Sequence, residues 1–276
     1  MAIHPTAIID RHAELDSSVE VGPHVVIDGP ARIGARTHIR ANAWITGWTQ
    51  IGEDCDVFPF AAIGGPPQDF HYGGERRSCR VRHRGIVREG VTIPRGTQPE
   101  AGPQIGDECF ITSQCHIAHN CRLGRGVTMI FPSGLAGHVE VGDRAIVSGG
   151  VVVHQFVRIG ELAFIAGGSR IGMDVPPFMI GHSESMVVNY NLVGLRRAGM
   201  SREELAEIRQ AFRILYRSGM TFRRAVETLA AAVRTEPGRR LADFLQAESK
   251  RGFCAGGRHR ERVLGAGSSG DTFHQE

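Results

Sequence analysis

Aliphatic residues return at every sixth position over most of the chain. The series begins at Ile3, breaks after Ile63, returns at Ile105 and continues to Ile171. A small or β-branched residue stands four positions after most members of the series, and glycine often follows the aliphatic residue directly. A period of six fits neither an α-helix, with its 3.6 residues per turn, nor an ordinary strand with alternating sides. It fits a short flat strand followed by a tight corner.

Three such units, 18 residues, would close one triangular coil with the aliphatic side chains pointing inwards. Successive coils would then stack at the strand spacing of about 4.8 Å. The sequence therefore predicts an all-β, left-handed parallel β-helix of hexapeptide repeats over residues 1–190. Two segments, 66–79 and 94–104, break the repeat. Insertions of this kind leave a solenoid as loops, which commonly line its functional face.

A C-terminal α-helical domain is predicted after the repeat, over residues 191–252. Ser201 and Glu204 have the spacing of a capping box, and an apolar stripe follows them until Gly219. Helices are predicted over Ser201–Ser218, over Phe222–Arg234 and from about Pro237 onwards. The glycine-rich, polar sequence of residues 253–276 predicts a disordered tail.

Composition and charge narrow the class of the protein. Hydrophobic residues make up 41% of the chain and charged residues 22%, which is typical of a soluble globular protein. The net charge is only +3, from 32 basic and 29 acidic residues, and does not favour nucleic acid as a partner. No apolar run approaches the roughly 20 residues that span a bilayer, and the N-terminus does not read as a signal peptide. We therefore expect a cytoplasmic protein without a transmembrane segment.

Six cysteines raise the question of disulfides or a metal site. No two of them are spaced as Cys-x-x-Cys, which argues against a zinc knuckle or ribbon. Cys55, Cys109, Cys115 and Cys121 share one phase of the repeat, which Ala, Thr, Val or Ser occupies elsewhere. We predict that they are small buried hydrophobic residues in a reducing compartment, and we predict neither a metal nor another cofactor.

The candidate chemistry lies in the segment Cys-His-Ile-Ala-His-Asn-Cys, which includes His119. With 18 residues to a coil, Gly137 lies one coil beyond His119, next to His138. Gln155, next to His154, lies one coil further. We expect His119, His138 and Gln155 to line one side of the prism, about one strand spacing apart. Because Gly137 has no side chain, its backbone N–H can approach His119, which pairs a base with an oxyanion donor.

Six short motifs occur along the chain in a recognisable order. They are Gln68-Asp69, His116-Ile-Ala-His119, Leu135-Ala-Gly-His138, Val153-His154-Gln155-Phe156, Asp174-Val-Pro-Pro177 and Gly194-Leu-Arg-Arg197. Together with the repeat, they resemble the UDP-N-acetylglucosamine O-acyltransferase family, which begins lipid A synthesis. The resemblance covers roughly residues 1–250. The repeat alone would identify only a superfamily, whereas the histidine motifs indicate a much narrower group of proteins.

The resemblance implies transfer of a 3-hydroxyacyl chain from acyl carrier protein to the 3-position of UDP-N-acetylglucosamine or a similar nucleotide sugar. It implies that His119 deprotonates the sugar hydroxyl and that the Gly137 N–H stabilises the oxyanion. Gly167 falls where the family sets acyl length. The substrate-binding residues that it implies are Asp69, His116, His138, His154, Gln155, Asn191 and Arg197. The family packs three prisms as a homotrimer, and the arginine-rich helices are either a docking surface for the acidic carrier or ordinary solvated helix faces.

Four positions depart from the family pattern. His71 stands in place of a lysine, Pro94 of a histidine, Asn120 of an aspartate and Ala198 of an arginine. Three of these changes reduce charge or hydrogen bonding, and they leave open another nucleotide sugar or a 3-amino analogue as the acceptor.

Three further alternatives belong to other classes of protein. One is a non-catalytic β-helix that serves for binding or assembly, and another is an acyl- or acetyltransferase with a different donor. The third is a zinc lyase of the carbonic anhydrase type, which is built on the same helix. Such a lyase needs three converging histidines, and the spacing of His116 and His119 is narrower than the spacing that it uses.

Overall fold

The structure, a computed structural model, describes residues 2–98 and 102–257 of the chain. Over the repeat the chain winds into triangular coils, and each side of the triangle adds one short strand to one of three sheets. All strands of the coils run parallel to their neighbours in the sheet. The left-handed parallel β-helix that the six-residue period predicts is confirmed.

The strands of the coils contain two to four residues. The first sheet holds β1 (Ala2–Ile3), β4 (Glu20–Val21), β7 (His38–Ile39), β10 (Asp56–Val57), β13 (Ile86–Val87), β16 (Phe110–Ile111), β19 (Thr128–Met129), β22 (Ile146–Val147) and β25 (Phe164–Ile165), followed by β27 (Met179–His182), β28 (Met186–Tyr190) and β29 (Ala255–Gly256). The second sheet holds β2 (Ile8–Ile9), β5 (Val26–Asp28), β8 (Trp44–Thr46), β11 (Ala62–Ile63), β14 (Thr92–Ile93), β17 (His116–Ile117), β20 (Gly134–Leu135), β23 (Val152–Val153) and β26 (Arg170–Ile171). The third sheet holds β3 (Glu14–Leu15), β6 (Arg32–Ile33), β9 (Trp48–Ile51), β12 (Ser78–Val81), β15 (Gln104–Ile105), β18 (Arg122–Leu123), β21 (Glu140–Val141) and β24 (Arg158–Ile159).

The register of the coils survives both insertions. Across the first insertion Val57 pairs with Val87, and across the second Thr92 pairs with His116. The aliphatic phase of the repeat is therefore unbroken, and neither insertion displaces the coils above and below it.

The core is a column of aliphatic side chains along the axis of the prism. Ile117, Leu135 and Val153 come from three successive coils and are at most 3% exposed. The six cysteines are all free and buried, and burial was predicted for the four that share one phase of the repeat, Cys55, Cys109, Cys115 and Cys121. Ile3 departs from the pattern because it belongs to the first coil, which has no coil below it, and it is 41% exposed.

Four helices follow the coils: α1 (Leu192–Arg197), α2 (Arg202–Arg217), α3 (Phe222–Ala232) and α4 (Glu236–Gln246). The capping box of Ser201 and Glu204 is present at the start of α2. The predicted second helix ends two residues earlier than expected, at Ala232. Helix α1 has only six residues, too few to show an apolar period, and was not predicted. No helix of the described residues is long and apolar enough to cross a membrane.

Contacts of Arg158 and Asp174 hold the helices and the segment after them against the last coil. The Arg158 N–H and Nε each donate to Asp174, at 2.8 and 2.7 Å, and the guanidinium lies 4.5 Å from the ring centre of Phe244 in α4. Phe253 pairs with Asp174, and β29 adds to the first sheet beside β28. The prediction that disorder begins at residue 253 is therefore wrong for residues 253–257, which packing against the last coil holds in place. The remainder of that predicted tail lies outside the described residues.

Candidate active site

Three successive corners stack at the edge where the second sheet gives way to the third. His119 occupies the first corner, Gly137 and His138 the second, and Gln155 and Phe156 the third. The His138 N–H donates to the carbonyl of His119, and the Phe156 N–H donates to the carbonyl of Gly137, both at 3.1 Å. The alignment predicted from the 18-residue coil is thus present in the structure.

Gly137 lies directly against the imidazole of His119. A β-carbon at position 137 would come within 2.7 Å of His119 Nε2, closer than side chains pack, so a larger residue would displace the ring. The Gly137 N–H donates to no atom of the described residues. The backbone of Gly137 therefore lies beside the ring of His119 and carries a hydrogen-bond donor with no acceptor among the described residues.

Asn120 fixes which nitrogen of His119 carries the proton. One side-chain atom of Asn120 lies 3.1 Å from the Thr97 N–H and 2.9 Å from the Thr97 hydroxyl. Because a backbone N–H only donates, that atom is the amide oxygen. His119 Nδ1 lies 2.9 Å from the same oxygen and must donate to it, which leaves a lone pair on Nε2 of the neutral ring.

The first insertion carries an acidic side chain to this corner. The N–H and Nδ1 of His71 lie 3.0 and 3.2 Å from Asp69 Oδ1. These bonds, together with the nearby charge that His119 can carry, hold the pKa of Asp69 below its usual range. Asp69 is therefore an ionised acceptor within electrostatic reach of both His119 and His138.

His138 lies edge-on to His119, with 5.3 Å between the ring centres, and stacks on Phe156 at 4.8 Å. Burial lowers the pKa of His138, and the positive charges of His119 and Lys250 lower it further. His138 is therefore a neutral imidazole at neutral pH, able to donate from one nitrogen and to accept at the other.

His116 lies on the floor of the site rather than at its corner. Its Nδ1 is 2.7 Å from Thr92 Oγ1, and burial followed by the charge of His119 lowers its pKa. Among residues 2–98 and 102–257, no three His, Cys, Asp or Glu side chains are grouped so as to hold a metal ion.

A pocket of about 380 Å³ opens beside His119 and Gly137. Gln68 of the first insertion and Pro94 of the second form part of its wall. Its floor is the outer surface of the second sheet, where Gly134, Leu135 and Val153 contribute. An imidazole with a basic Nε2 can take a proton here from a hydroxyl group, while the Gly137 N–H can bind an oxyanion.

Two of the predicted substrate-binding residues lie elsewhere in the chain. Asn191 caps α1, since its Oδ1 accepts from the Gly194 N–H at 3.0 Å and its Nδ2 donates to the Leu162 carbonyl at 2.8 Å. Arg197 lines the same pocket as Asn191, of about 660 Å³, together with Thr128 of the first sheet. Neither residue is among those that line the His119 pocket of the same chain.

The other predicted residues lie on the coils that follow His119, at different distances from its corner. His154 and Gln155 are exposed side by side at the end of β23. Gly167 lies between β25 and β26, at the opposite edge of the second sheet from His119. A β-carbon at Gly167 would meet only the carbonyl of Gly149, at 3.3 Å, so the surface there is open.

Comparisons with known proteins identify the relatives of the chain. Residues 174–254 match the family model described as UDP-N-acetylglucosamine O-acyltransferase, domain 2. The acyl-[acyl-carrier-protein]–UDP-N-acetylglucosamine O-acyltransferase of Verminephrobacter eiseniae is 41% identical over 237 residues, 85% of this chain and 90% of that protein. The enzyme of the same name from Thermodesulfovibrio yellowstonii is 40% identical over 255 residues, 91% of this chain and 98% of that protein.

The chain belongs to the UDP-N-acetylglucosamine O-acyltransferase family. Solved structures of the family agree over nearly the whole chain. The enzyme of Moraxella catarrhalis superposes with a TM-score of 0.88 at 34% identity, covering 92% of this chain and all of that one. The enzyme of Bacteroides fragilis gives a TM-score of 0.86 at 34% identity, covering 91% of this chain and 99% of that one.

Sequence reasoning missed two residues at this acyltransferase site. Thr97 lies in the second insertion, where the repeat gives no guide to position. Lys250 approaches Phe156 from the segment after α4, with its Nζ 4.8 Å from the ring centre. The sequence did contain a sign that Lys250 is unusual, because it is the single lysine of the chain.

Proposed function

We propose that this member of the family transfers a 3-hydroxyacyl chain from acyl carrier protein to the 3-hydroxyl of UDP-N-acetylglucosamine, in lipid A biosynthesis. His119 is the general base. The observation that carries the proposal is the placement of the His119 ring, with its Nδ1 proton held by Asn120, against the backbone of Gly137, whose N–H has no acceptor among the described residues.

The chemical step uses these two groups in turn. His119 Nε2 takes the proton of the sugar 3-hydroxyl, and the oxygen attacks the carbonyl carbon of the thioester. The Gly137 N–H donates to the oxyanion of the tetrahedral intermediate. When the carbon–sulfur bond breaks, His119 returns its proton to the thiolate, so that an ester and a free carrier thiol result. A general base contributes about 10²–10⁴-fold, and one oxyanion donor contributes about 10²–10³-fold.

The neighbouring polar groups hold the substrates. Asp69 accepts hydrogen bonds from sugar hydroxyls, which its low pKa supports. His116 and His138 act as neutral donors and acceptors, because burial lowers the pKa of both. Gln155 and His154 extend the contacts along the corner. The acyl chain runs towards Gly167, where the absence of a side chain leaves room for a long chain.

The protein works as a homotrimer in this proposal. Two faces of the prism expose apolar side chains: the second sheet exposes Ile8, Trp44 and Val152, and the first exposes Ile86 and Phe110 beyond its charged Glu20 and Asp56. The third sheet instead presents a charged ladder that includes ion-paired Glu14 and Arg32. A closed ring joins two different surfaces of each subunit, and the exposed apolar residues of the first and second sheets would supply them. The pocket of Asn191 and Arg197 would then complete the His119 pocket of a neighbouring protomer.

The arginine-rich helices provide the docking surface for the acidic carrier. Arg196, Arg197, Arg202, Arg209, Arg213 and Arg224 form no ion pair with the described residues, whereas Arg223 pairs with Glu227. Unpaired positive charge attracts an acidic partner and speeds its association. We place the protein in the cytoplasm, with a soluble carrier and a soluble nucleotide sugar.

The test is transfer from 3-hydroxyacyl carrier protein to UDP-N-acetylglucosamine, measured for the wild type, His119→Ala and His4→Ala. We expect a loss of at least about 10²-fold in His119→Ala. His4 lies on the first coil, so its substitution should leave the rate unchanged. No turnover by a folded wild type would overturn the acceptor assignment.

A nucleotide sugar with a 3-amino group is the second candidate acceptor. Two of the four departures from the family pattern favour it, because Pro94 lines the pocket and Asn120 binds the base. An amide product formed faster than the ester, in direct competition between the two acceptors, would replace the first proposal with this one.

A further inference from the structure

The single lysine of the chain ends the row of side chains that starts at His119. His119 lies edge-on to His138, His138 stacks on Phe156, and the Nζ of Lys250 lies 4.8 Å from the centre of the Phe156 ring. All the other basic side chains, apart from histidine, are arginines. The corner that holds the candidate base therefore continues, over two coils, to an ammonium group.

The backbone on the C-terminal side of this lysine is fastened to the coil beyond Phe156. The Asp174 N–H donates to the Gly252 carbonyl at 2.8 Å, and the Cys254 N–H donates to the Asp174 carbonyl at 2.9 Å. Arg251 Nε donates to the Gly172 carbonyl at 3.0 Å. These bonds fix the backbone beside Lys250, while its side chain is exposed and reaches the face of Phe156.

The ammonium has no counter-charge within the part of the chain that the structure describes. None of the ion pairs there includes Lys250, and its charge helps to lower the pKa of the neighbouring His138. The groups that face His138 electrostatically are His119, Lys250 and the more distant Asp69. His154 and Gln155 are exposed next to Phe156 on the same corner. An unneutralised cation with polar neighbours is suited to an anion.

We propose that Lys250 binds a phosphate group of one of the two substrates. The assignment rests on the proposed function, which supplies two phosphates: the diphosphate of the nucleotide sugar and the phosphodiester of the carrier's pantetheine arm. Lysine suits this task because its ammonium is a mobile point charge on a long stem, whereas a guanidinium is a rigid fork.

The test measures binding rather than turnover, so that its result does not depend on the reaction. Calorimetry compares UDP with uridine, and 4′-phosphopantetheine with pantetheine, for the wild type, Lys250→Gln and Lys250→Arg. We expect Lys250→Gln to weaken the phosphorylated member of one pair about tenfold and to leave its unphosphorylated partner unchanged. The pair that responds identifies the phosphate. Lys250→Arg should retain most of the binding, and salt should reduce the difference.

Arg11→Ala is the matched control, because it removes an exposed cation from the first coil, at the opposite end of the prism. It should change neither pair. The proposal would be overturned if the wild type and Lys250→Gln bound both phosphorylated ligands with equal affinity. It would also be overturned if the wild type bound the phosphorylated and the unphosphorylated ligands equally well. If the wild type transfers no acyl chain, but Lys250→Gln still weakens the binding of a phosphorylated ligand, only the proposed function would be overturned.

Discussion

Thr97 donates two hydrogen bonds to the side-chain oxygen of Asn120, one from its backbone and one from its hydroxyl. The same oxygen accepts the Nδ1 proton of His119. An inserted loop thereby determines the orientation and the tautomer of the candidate base, which belongs to a different segment of the chain.

Replacement of Asn120 by aspartate should make the rate more sensitive to acid. A carboxylate would keep the bonds from Thr97 and would stabilise the imidazolium form of His119. We expect the acidic limb of the profile of kcat/KM against pH to move upwards by about one unit. Asn42→Asp is the control, since Asn42 occupies an exposed corner with φ 59°, close to the 62° of Asn120. An unchanged profile would show that Asn120 does not act through the imidazole.

Replacement of Asn120 by alanine should lower kcat rather than raise KM. The ring would lose the acceptor that orients it, and misplacement of a catalytic group by about 1 Å costs about 10²-fold. Steady-state kinetics would separate the two effects. A raised KM with normal kcat would instead place Asn120 in substrate binding.

Gly137→Ala should abolish most of the activity while the protein stays folded. The new methyl group would lie within 2.7 Å of His119 Nε2, and it would displace the ring from the oxyanion donor. We expect a loss of about 10²-fold or more in kcat. Gly73→Ala, where a β-carbon would meet only the side chain of Glu75, at 3.6 and 3.8 Å, is the control and should be neutral. Full activity of Gly137→Ala would remove position 137 from the mechanism.

The stability of the fold should fall as the pH drops below about 6.5, in part because of His138. Its pKa is lower in the folded protein than the ordinary 6.5, so the unfolded state binds more protons in that range. The stabilisation is complete above pH 6.5 and is lost as the pH falls towards the folded pKa. His138→Asn tolerates the φ of 62° at this corner and should flatten the slope of melting temperature against pH. An identical slope in that variant would contradict the assignment.

Asp174→Asn should destabilise the protein strongly. Asp174 is fully buried and accepts two bonds from Arg158, whose side chain is 17% exposed. Removal of one partner of a buried pair costs about 3–5 kcal/mol. Urea unfolding would measure this loss. Glu14→Gln, in the exposed pair with Arg32, should change nothing measurable, because solvent screens such a pair.

The repeat made the central part of the site predictable. Because 18 residues make a coil, the spacing from His119 to Gly137 and Gln155 in the sequence could be read as distance in space. The pairing of His116 with Gly134, and of Gly134 with Val152, confirms that arithmetic.

The rest of the site could not be predicted from the repeat, because its residues lie in segments where the six-residue period is interrupted. Thr97 stands in the second insertion, where spacing no longer maps onto position, and Asp69 of the first insertion was expected only from the family resemblance. Ala255 lies in a glycine-rich stretch with little strand propensity, yet it pairs with Met186 because the last coil leaves an edge open to it. Asn191 was expected among the substrate contacts, and its amide is used in this chain to cap α1.

The unbroken register across the two loops has a consequence for how such an enzyme diversifies. The coils that hold His119 and Gly137 keep their pairing whatever the loops contain, since Val57 still meets Val87 and Thr92 still meets His116. Loop residues such as Asp69 can therefore be exchanged without a change in the backbone beneath the base. We expect acceptor preference to be transferable between relatives by grafting residues 66–79, with the reaction centre inherited intact, whereas a graft of residues 94–104 must keep Thr97, which binds Asn120.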